Sequence, residues 1–328
     1  MQAGEVARSA GEGPAHYRGR FAPSPSGRLH FGSLVAAVGS YLDARSRHGE
    51  WLLRIEDLDP PRTRPGAADQ ILADLESFGL QWDGPVLRQS DRFDRYAAAI
   101  ELLRGQGALR QCRCSRSALA RLPENQSQTV GQTDELFHPT DCLPAEADNG
   151  PPGHALRLRV PKGNVEFDDR SLGRQCIDVG ATVGDFVLQR RDRLFAYQLA
   201  VVVDDADQGI TDVVRGCDLL TSSARQVVLQ RRLGLPGVRY LHLPLAVDDR
   251  GLKLSKSGGD APAVTGRGGP ASQLAAVLRF LGQDPPAALP GMPLPEAWAW
   301  AVAHWRIESF AGCAVRAAPI EACAGTTG

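Results

Sequence analysis

No stretch of this chain approaches the run of about 18 apolar residues that a membrane-crossing helix needs. The longest candidate, Leu199–Val203, falls far short, so a helical membrane span is excluded and no membrane partner is expected. The N-terminal leader, Met1 to about His16, is polar and glycine-rich and lacks the apolar core of a secretory signal. It reads as a disordered leader of a cytoplasmic, monomeric protein. Charge of one sign is also missing. Lys and Arg number 37 against 38 Asp and Glu, a net charge of −1, so bulk electrostatics announce no nucleic-acid partner. Any such contact must rest on local basic stretches. The candidates are Gln189-Arg190-Arg191-Asp192-Arg193 and Arg231-Arg232, which suit phosphate contact or a solvated face equally. Internal repeats are absent, which excludes a repeat array. The seven cysteines form no even framework. Cys112, Cys114 and Cys142 cluster while Cys176, Cys217, Cys313 and Cys323 are scattered, a pattern that favours a metal site over disulfides.

What is present is ordinary for a globular chain: 328 residues, 43% hydrophobic and 23% charged, enough for one large or two modest domains. Strand-like Tyr17–Ala22 ends in Pro23-Ser24-Pro25-Ser26-Gly27, which continues neither a helix nor a ladder. Helical spacing follows over Leu34–Arg45, then a strand at Trp51–Ile55 and helices at about 66–78 and 92–103. This alternation predicts an α/β fold with a parallel, Rossmann-like sheet and helical crossovers. The pattern breaks at about Leu109. Residues 109–190 read as an insertion holding the cysteine cluster, with strand-like Ala155–Val160 and Val183–Gln189. The α/β character resumes with 194–205, Ile210–Arg215, a helix at about 222–233 and His242–Val247. The expected division is a leader at 1–16, a catalytic domain at 17–108 and 191–262 interrupted by the insertion, and a short helical region at 263–328, with helices at 273–281 and 294–305.

Five groups of residues carry chemistry. In Arg20-Phe-Ala-Pro-Ser-Pro-Ser-Gly-Arg-Leu-His30-Phe-Gly32-Ser33 a rigid turn joins strand to helix, aiming backbone N–H groups into the crevice where open parallel sheets bind ligands. His30 and Ser33 suit donation to a polyphosphate, and Gly32 leaves room for a purine. Gly251-Leu-Lys253-Leu-Ser-Lys256-Ser257 sets two lysines on a glycine-flanked loop, suited to a departing pyrophosphate; its other reading is an exposed lysine loop. In Arg54-Ile-Glu56-Asp57-Leu-Asp59 a carboxylate suits an ammonium group, although Asp57 and Asp59 equally suit caps. Arg20, Tyr197 and Arg215 give a cationic, hydrogen-bonding pocket for a dicarboxylic amino acid; the rival is an internal ion pair with Asp205 or Asp218. Finally, Cys112-x-Cys114 with His138-x3-Cys142 offers four ligands for structural zinc, with His154 in reserve, or else free thiols in a loop.

The first two groups resemble the HIGH and KMSKS motifs of class I aminoacyl-tRNA synthetases. Arg20-Phe-Ala-Pro-Ser-Pro-Ser-Gly, Arg54-Ile-Glu-Asp and Val214-Arg-Gly resemble the glutamyl branch, and the likeness runs from about Tyr17 to Ser257. Only residues 258–328 follow that loop, His30-Phe-Gly-Ser ends without the usual histidine, and the insertion carries Cys-x-Cys. Together these features resemble the glutamyl-Q tRNA(Asp) synthetases, a family without anticodon-binding domains. The resemblance implies an ATP-dependent ligase that activates L-glutamate and transfers it to queuosine at the wobble position of tRNA(Asp), with Mg2+ accompanying ATP and one structural Zn2+. It implies that Arg20, Phe21, Ala22, Pro23, Ser24, Glu56, Tyr197 and Arg215 line the glutamate pocket. Glu56 would hold the α-amino group, and the two arginines would share the carboxylates. His30, Gly32, Ser33 and Lys256 would contact ATP, with His30, Lys253 and Lys256 serving catalysis. Cys112, Cys114, His138 and Cys142 would hold the metal, His138 standing where the family commonly has a tyrosine. The alternatives are a shortened glutamyl-tRNA synthetase charging the 3′ end of tRNA(Glu), a nucleotidylyltransferase that uses no tRNA, and a non-catalytic RNA-binding relative.

Overall fold

The computed structural model describes residues 16–60, 62–126, 136–140, 142, 153–247 and 268–317. The chain opens as β1 (Arg18–Phe21), α1 (Phe31–Arg45), β2 (Glu50–Ile55), α2 (Ala67–Ser77), β3 (Leu87–Arg88) and α3 (Phe93–Gly105). There follow β4 (Leu109–Cys112), the single-turn helices α4 (Arg116–Leu119) and α5 (Pro123–Gln126), β5 (Ala155–Leu158), β6 (Val165–Asp169), β7 (Gly173–Ile177), α6 (Val179–Thr182) and β8 (Val187–Gln189). The rest runs α7 (Tyr197–Asp207), β9 (Asp212–Gly216), α8 (Leu220–Leu233), β10 (Arg239–Leu243), β11 (Leu245–Val247), α9 (Gly269–Phe280), α10 (Leu294–Ala303) and β12 (Val315–Ala317). Among the described residues no helix is long and apolar enough to cross a membrane.

Two parallel groups of strands meet at the centre. β1, β2 and β3 pair in parallel, as do β9, β10 and β6. β1 lies beside β9, where the Thr211 N–H donates to the Arg18 carbonyl and the Arg18 N–H to Thr211 Oγ1, both at 2.9 Å. Helices cover both faces, and the strands show it by alternation. Phe21, Leu53, Val214, Leu241 and Leu243 join one core with α1, α2, α9 and α10, whereas Val213 and Tyr240 join the other with α3, α7 and α8. After β1 the chain therefore crosses by α1 on one face, and after the adjacent β9 it crosses by α8 on the opposite face. Crossovers that diverge from neighbouring parallel strands leave a crevice at their carboxyl ends.

The segment 109–190 divides its strands. β4, β5 and β8 form a separate antiparallel sheet, while the β6–β7 hairpin extends the parallel group through β10. A buried carboxylate helps hold it there. Asp43 on α1 accepts two bonds from Arg170, at 2.6 and 2.8 Å, one from the Tyr17 hydroxyl at 2.6 Å and one from Trp305 Nε1 at 3.2 Å. Burial works to raise Asp43, but the Arg170 charge and these bonds outweigh it and hold the carboxyl below its ordinary range.

Candidate active site and metal centre

The crevice holds a cavity of about 350 Å3 at the carboxyl ends of β1, β2, β9 and β10. Arg20, Phe21, Ala22, Pro23, Ser24, His30, Gly32, Ser33, Glu56, Tyr197 and Arg215 all line it. The described residues singled out in the sequence for a glutamate pocket and a nucleotide turn thus converge on one space. Lys253 and Lys256 lie outside the described residues.

Three arginines enter from the α7–α8 face of the sheet, because Arg20, Arg54 and Arg215 each alternate with residues of the opposite core. Two of them are tied to one acid. Arg20 Nε and Arg54 Nη2 both donate to Asp205 Oδ1, at 3.1 and 2.8 Å. Burial would raise Asp205, yet these two charges hold it below the usual carboxylate range. The internal ion pair weighed in the sequence thus belongs to Arg20. Arg215 differs: its Nη1 donates to the Tyr197 hydroxyl at 3.2 Å and its Nη2 to Ser223 Oγ at 2.7 Å. Its guanidinium also lies 5.5 Å from the Tyr240 ring centroid. Among the described residues Arg215 has no carboxylate partner. Glu56 stands close by with Oε1 buried and unbonded. Its side chain is 8% exposed, 3.7 Å from Arg54. Burial pushes it up to about 7, against the pull of Arg54 and Arg20.

The remaining acids are structural. Asp57 accepts from the Ser90 N–H and hydroxyl at 2.9 and 2.8 Å, and Asp59 pairs with Arg62 and Arg190. Asp204 accepts from Gln89, Arg92 and Tyr96. Of the basic stretches, Arg191 donates to the Gly153 carbonyl and Arg231 to that of Glu166. His30 is the N-cap of α1, and its Nδ1 accepts from the Ser33 N–H at 3.3 Å. An accepting Nδ1 leaves the proton of a neutral imidazole on Nε2, the nitrogen available to donate. Gly32 serves this cap directly: a Cβ there would lie 3.2 Å from the His30 ring.

The metal candidates also meet. The ligand atoms of Cys112, Cys114, His138 and Cys142 all lie within 4.8 Å of one another. Cys112 Sγ is 3.0 Å from His138 Nε2, and the Cys114 and Cys142 sulfurs are 3.4 Å apart, too far for a disulfide. Burial and the neighbouring Cys112 push Cys114 up to about 12, while at Cys112 burial is outweighed by the bonds from His138 and Cys114, which bring it down to about 6, so the cluster favours one thiolate without a cation to hold the others. The donor set fits a tetrahedral metal. His154, the reserve ligand, instead hydrogen-bonds with Arg113. His138 is placed by its backbone, its N–H donating to the Val183 carbonyl at 2.8 Å. Gly184 beside it has φ +72, and a Cβ there would sit 1.7 Å from the His138 carbonyl oxygen.

The family model described as tRNA synthetases class I (E and Q), catalytic domain, matches residues 16–289. A glutamyl-Q tRNA(Asp) synthetase of Dechloromonas aromatica is 52% identical over 297 residues, 89% of this chain and 95% of that protein. The chain belongs to the glutamyl-Q tRNA(Asp) synthetase family. A second relative of that name, from Pseudomonas aeruginosa, is 51% identical over 91% of this chain and 96% of its own length. The fold matches the glutamate-tRNA synthetase of Elizabethkingia anophelis with a TM-score of 0.73 at 23% identity, covering 94% of this chain and 69% of that one. The chain is accordingly a ligase with a class I synthetase catalytic domain.

One group in this family member escaped the sequence reading. His242 is fully buried on β10. Its Nδ1 is 2.7 Å from Asp169 Oδ2, and its Nε2 is 3.0 Å from Ser223 Oγ. The available signal was a lone polar residue in the apolar run Tyr240-Leu-His-Leu.

Proposed function

We propose that this chain activates L-glutamate with ATP as glutamyl-adenylate and transfers the glutamyl group to queuosine at the wobble position of tRNA(Asp). The observation that carries the reading is one cavity that holds a buried carboxylate whose Oε1 accepts no hydrogen bond, an arginine without a carboxylate partner among the described residues, and the N-terminus of α1. Glu56 suits an ammonium, Arg215 suits a carboxylate and a helix N-terminus suits phosphate. The acceptor is taken from the name of relatives 51–52% identical over about nine-tenths of both chains.

In this reading Glu56 binds the α-ammonium of glutamate. Arg215 and Arg20 take its carboxylates, while Tyr197 and the turn Phe21–Ser24 close around it. The ATP phosphates lie at the start of α1 beside His30 and Ser33, with Mg2+ accompanying them. The glutamate α-carboxylate attacks the α-phosphorus in line, the bond to the β-phosphate oxygen breaks, and pyrophosphate leaves, neutralised by Lys253 and Lys256. A hydroxyl of the queuosine cyclopentenediol then attacks the adenylate carbonyl and loses its proton, forming an ester and releasing AMP. Positioning and charge stabilisation carry these steps without a protein nucleophile. Cys112, Cys114, His138 and Cys142 would hold a Zn2+ that would close the segment 109–190 structurally, and this segment serves as the acceptor-side subdomain of a cytoplasmic monomer.

The test is transfer of labelled glutamate, with ATP, to queuosine-containing tRNA(Asp), to tRNA(Asp) lacking queuosine, and to tRNA(Glu). Labelling of the first alone is expected. Labelling of tRNA(Glu) would overturn the queuosine acceptor, and glutamate-driven pyrophosphate exchange without labelling of any tRNA would leave a nucleotidylyltransferase.

A further inference from the structure

The Arg215 guanidinium is the one pocket cation held by neutral groups alone among the described residues, and neutral groups are weaker anchors than carboxylates. Something else must fix its direction, and the chain of contacts behind it does so. Asp169 Oδ1 accepts from the backbone N–H groups of Ser171 and Leu172, at 3.0 and 2.8 Å, which locks that carboxylate to the turn after β6. Its Oδ2 accepts from the His242 N–H at 3.1 Å and lies 2.7 Å from His242 Nδ1. A proton on Nδ1 satisfies this second contact and leaves Nε2 as an acceptor. Ser223 Oγ accepts from Arg215 Nη2 at 2.7 Å, and of the two acceptors within reach of its own proton, Nε2 at 3.0 Å and the Leu219 carbonyl at 3.4 Å, the imidazole is the nearer. Arg215 Nε reaches the same Nε2 at 3.5 Å. Donation therefore runs as one row from Arg215 through Ser223 and His242 to the fixed carboxylate of Asp169, while Arg215 Nη1 turns a second donor to Tyr197 at the cavity wall.

The row has a second property. Placing a carboxylate against Arg215 would fix it more firmly but would also offset its charge, as Asp205 does in part for Arg20 and Arg54, which share its single negative charge. With a neutral imidazole between Asp169 and Arg215, the carboxylate acts through an intermediary and the guanidinium keeps its charge for the ligand. Burial holds His242 below its ordinary pKa, against the pull of Asp169, which keeps the intermediary neutral.

We infer that His242, anchored by Asp169 and bridged by Ser223, is a positioning residue that fixes the direction of Arg215 and so sets affinity and selectivity for the substrate carboxylate. The inference rests on the glutamate reading of the pocket.

The experiment is glutamate-dependent ATP–pyrophosphate exchange by the full chain, comparing wild type with His242→Leu, His242→Gln and Ser223→Ala. His242→Leu keeps the volume and removes both polar contacts; a glutamine amide can restore an acceptor near the position of Nε2. Expected are a rise in the glutamate KM of tenfold or more in His242→Leu with kcat within about threefold, an unchanged KM for ATP, and loss of preference for glutamate over glutamine. Recovery of most of the KM in His242→Gln and a several-fold rise in Ser223→Ala complete the expectation. A glutamate KM unchanged in Ser223→Ala and His242→Leu, or a fall confined to kcat and the amount of folded enzyme, overturns the inference. Should His242→Leu not fold, Ser223→Ala decides alone. Absence of glutamate-dependent exchange in the wild type would overturn the pocket reading instead, so the two failures are distinct.

Discussion

An alanine at position 184 should expel the metal, and the size of the effect follows from two glycines with matched backbones. Gly184 has φ +72 and Gly173 has φ +73. An L side chain in that left-handed region carries about 1–2 kcal/mol of strain, so both alanine variants bear that penalty. They differ in what the new methyl meets. At 173 there is nothing within 4 Å; at 184 the Cβ would stand 1.7 Å from the His138 carbonyl oxygen. Ordinary contact requires that oxygen to retreat by more than about 1 Å, whereas metal–ligand distances tolerate only about 0.2 Å. Because His138 is bridged to Gly184 through its backbone, the retreat carries the ligand with it. Metal content of the purified protein and calorimetric melting give the readout. Gly173→Ala should keep about one equivalent of zinc and lose a few degrees of Tm, as expected for about 1 kcal/mol in a domain of this size. Gly184→Ala should lose the metal, as Cys112→Ser should by removing a ligand, with a clearly larger fall in Tm. Equal shifts with metal retained in both glycine variants would refute the close approach at His138 and its role as a ligand.

Glu56 gives a pH prediction. It must ionise to hold an ammonium, so kcat/KM for glutamate should rise with pH up to about 7 and then level. The same raised pKa contributes stability that is complete below about 4.5 and is lost as pH rises through 7, by up to about 3 kcal/mol. Glu56→Gln should flatten both profiles, and a wild-type kcat/KM already flat between pH 6 and 8 would contradict the assignment. The two pocket arginines should separate by assay. Arg20→Ala removes one of the two arginines on buried Asp205, which keeps Arg54, and should lower stability by about 1.5–3 kcal/mol. Arg215→Ala, with neutral partners only, should lose less stability and raise the glutamate KM by an amount worth about 2–5 kcal/mol. Similar melting shifts in the two variants would refute that division.

β1, α1, β2 and β9 were readable because period and punctuation agreed, whereas the strand expected at His242–Val247 is split between β10 and β11, which join different sheets. Leu34, Val35, Val38 and Leu42 are buried at helical spacing on α1, and Pro23 to Gly27 forces the break after β1. The β6–β7 hairpin was not readable. Its residues alternate between charged, exposed positions such as Glu166 and Arg174 and a few buried ones, so it carries no strong apolar run. Its attachment to β10 is a contact across some 70 residues of sequence that no local pattern encodes. The pocket residues fell out of the motifs, and Asp205 was weighed as an internal partner of a pocket arginine. What the sequence left open was which arginine it takes: α7 places it against both Arg20 and Arg54. Gly32 was read as space for a purine, yet its nearest neighbour is the His30 ring that caps the helix.

The charge arrangement explains why so many arginines can share one small space. Fully buried Arg54 takes one interaction with Asp205 and another with Gln208 Oε1 at 2.7 Å, and Arg20 joins it on the same acid. Asp204 is held by neutral Gln89 and Tyr96 as well as by Arg92, so little of its charge is directed at the cavity. After these pairings two groups keep unmet demands at the cavity, Glu56 Oε1, which accepts no hydrogen bond although Arg54 lies 3.7 Å away, and the guanidinium of Arg215, which has no carboxylate partner among the described residues. A zwitterion with a second carboxylate answers both and leaves one anionic oxygen pair free to meet phosphorus. Glutamine supplies the ammonium and the reacting carboxylate but offers Arg215 only an amide. A buried cation facing a neutral dipole instead of an anion loses most of its pairing energy. In the proposed reading of the pocket, discrimination follows from keeping Arg215 unneutralised, which requires that its direction be set by neutral neighbours.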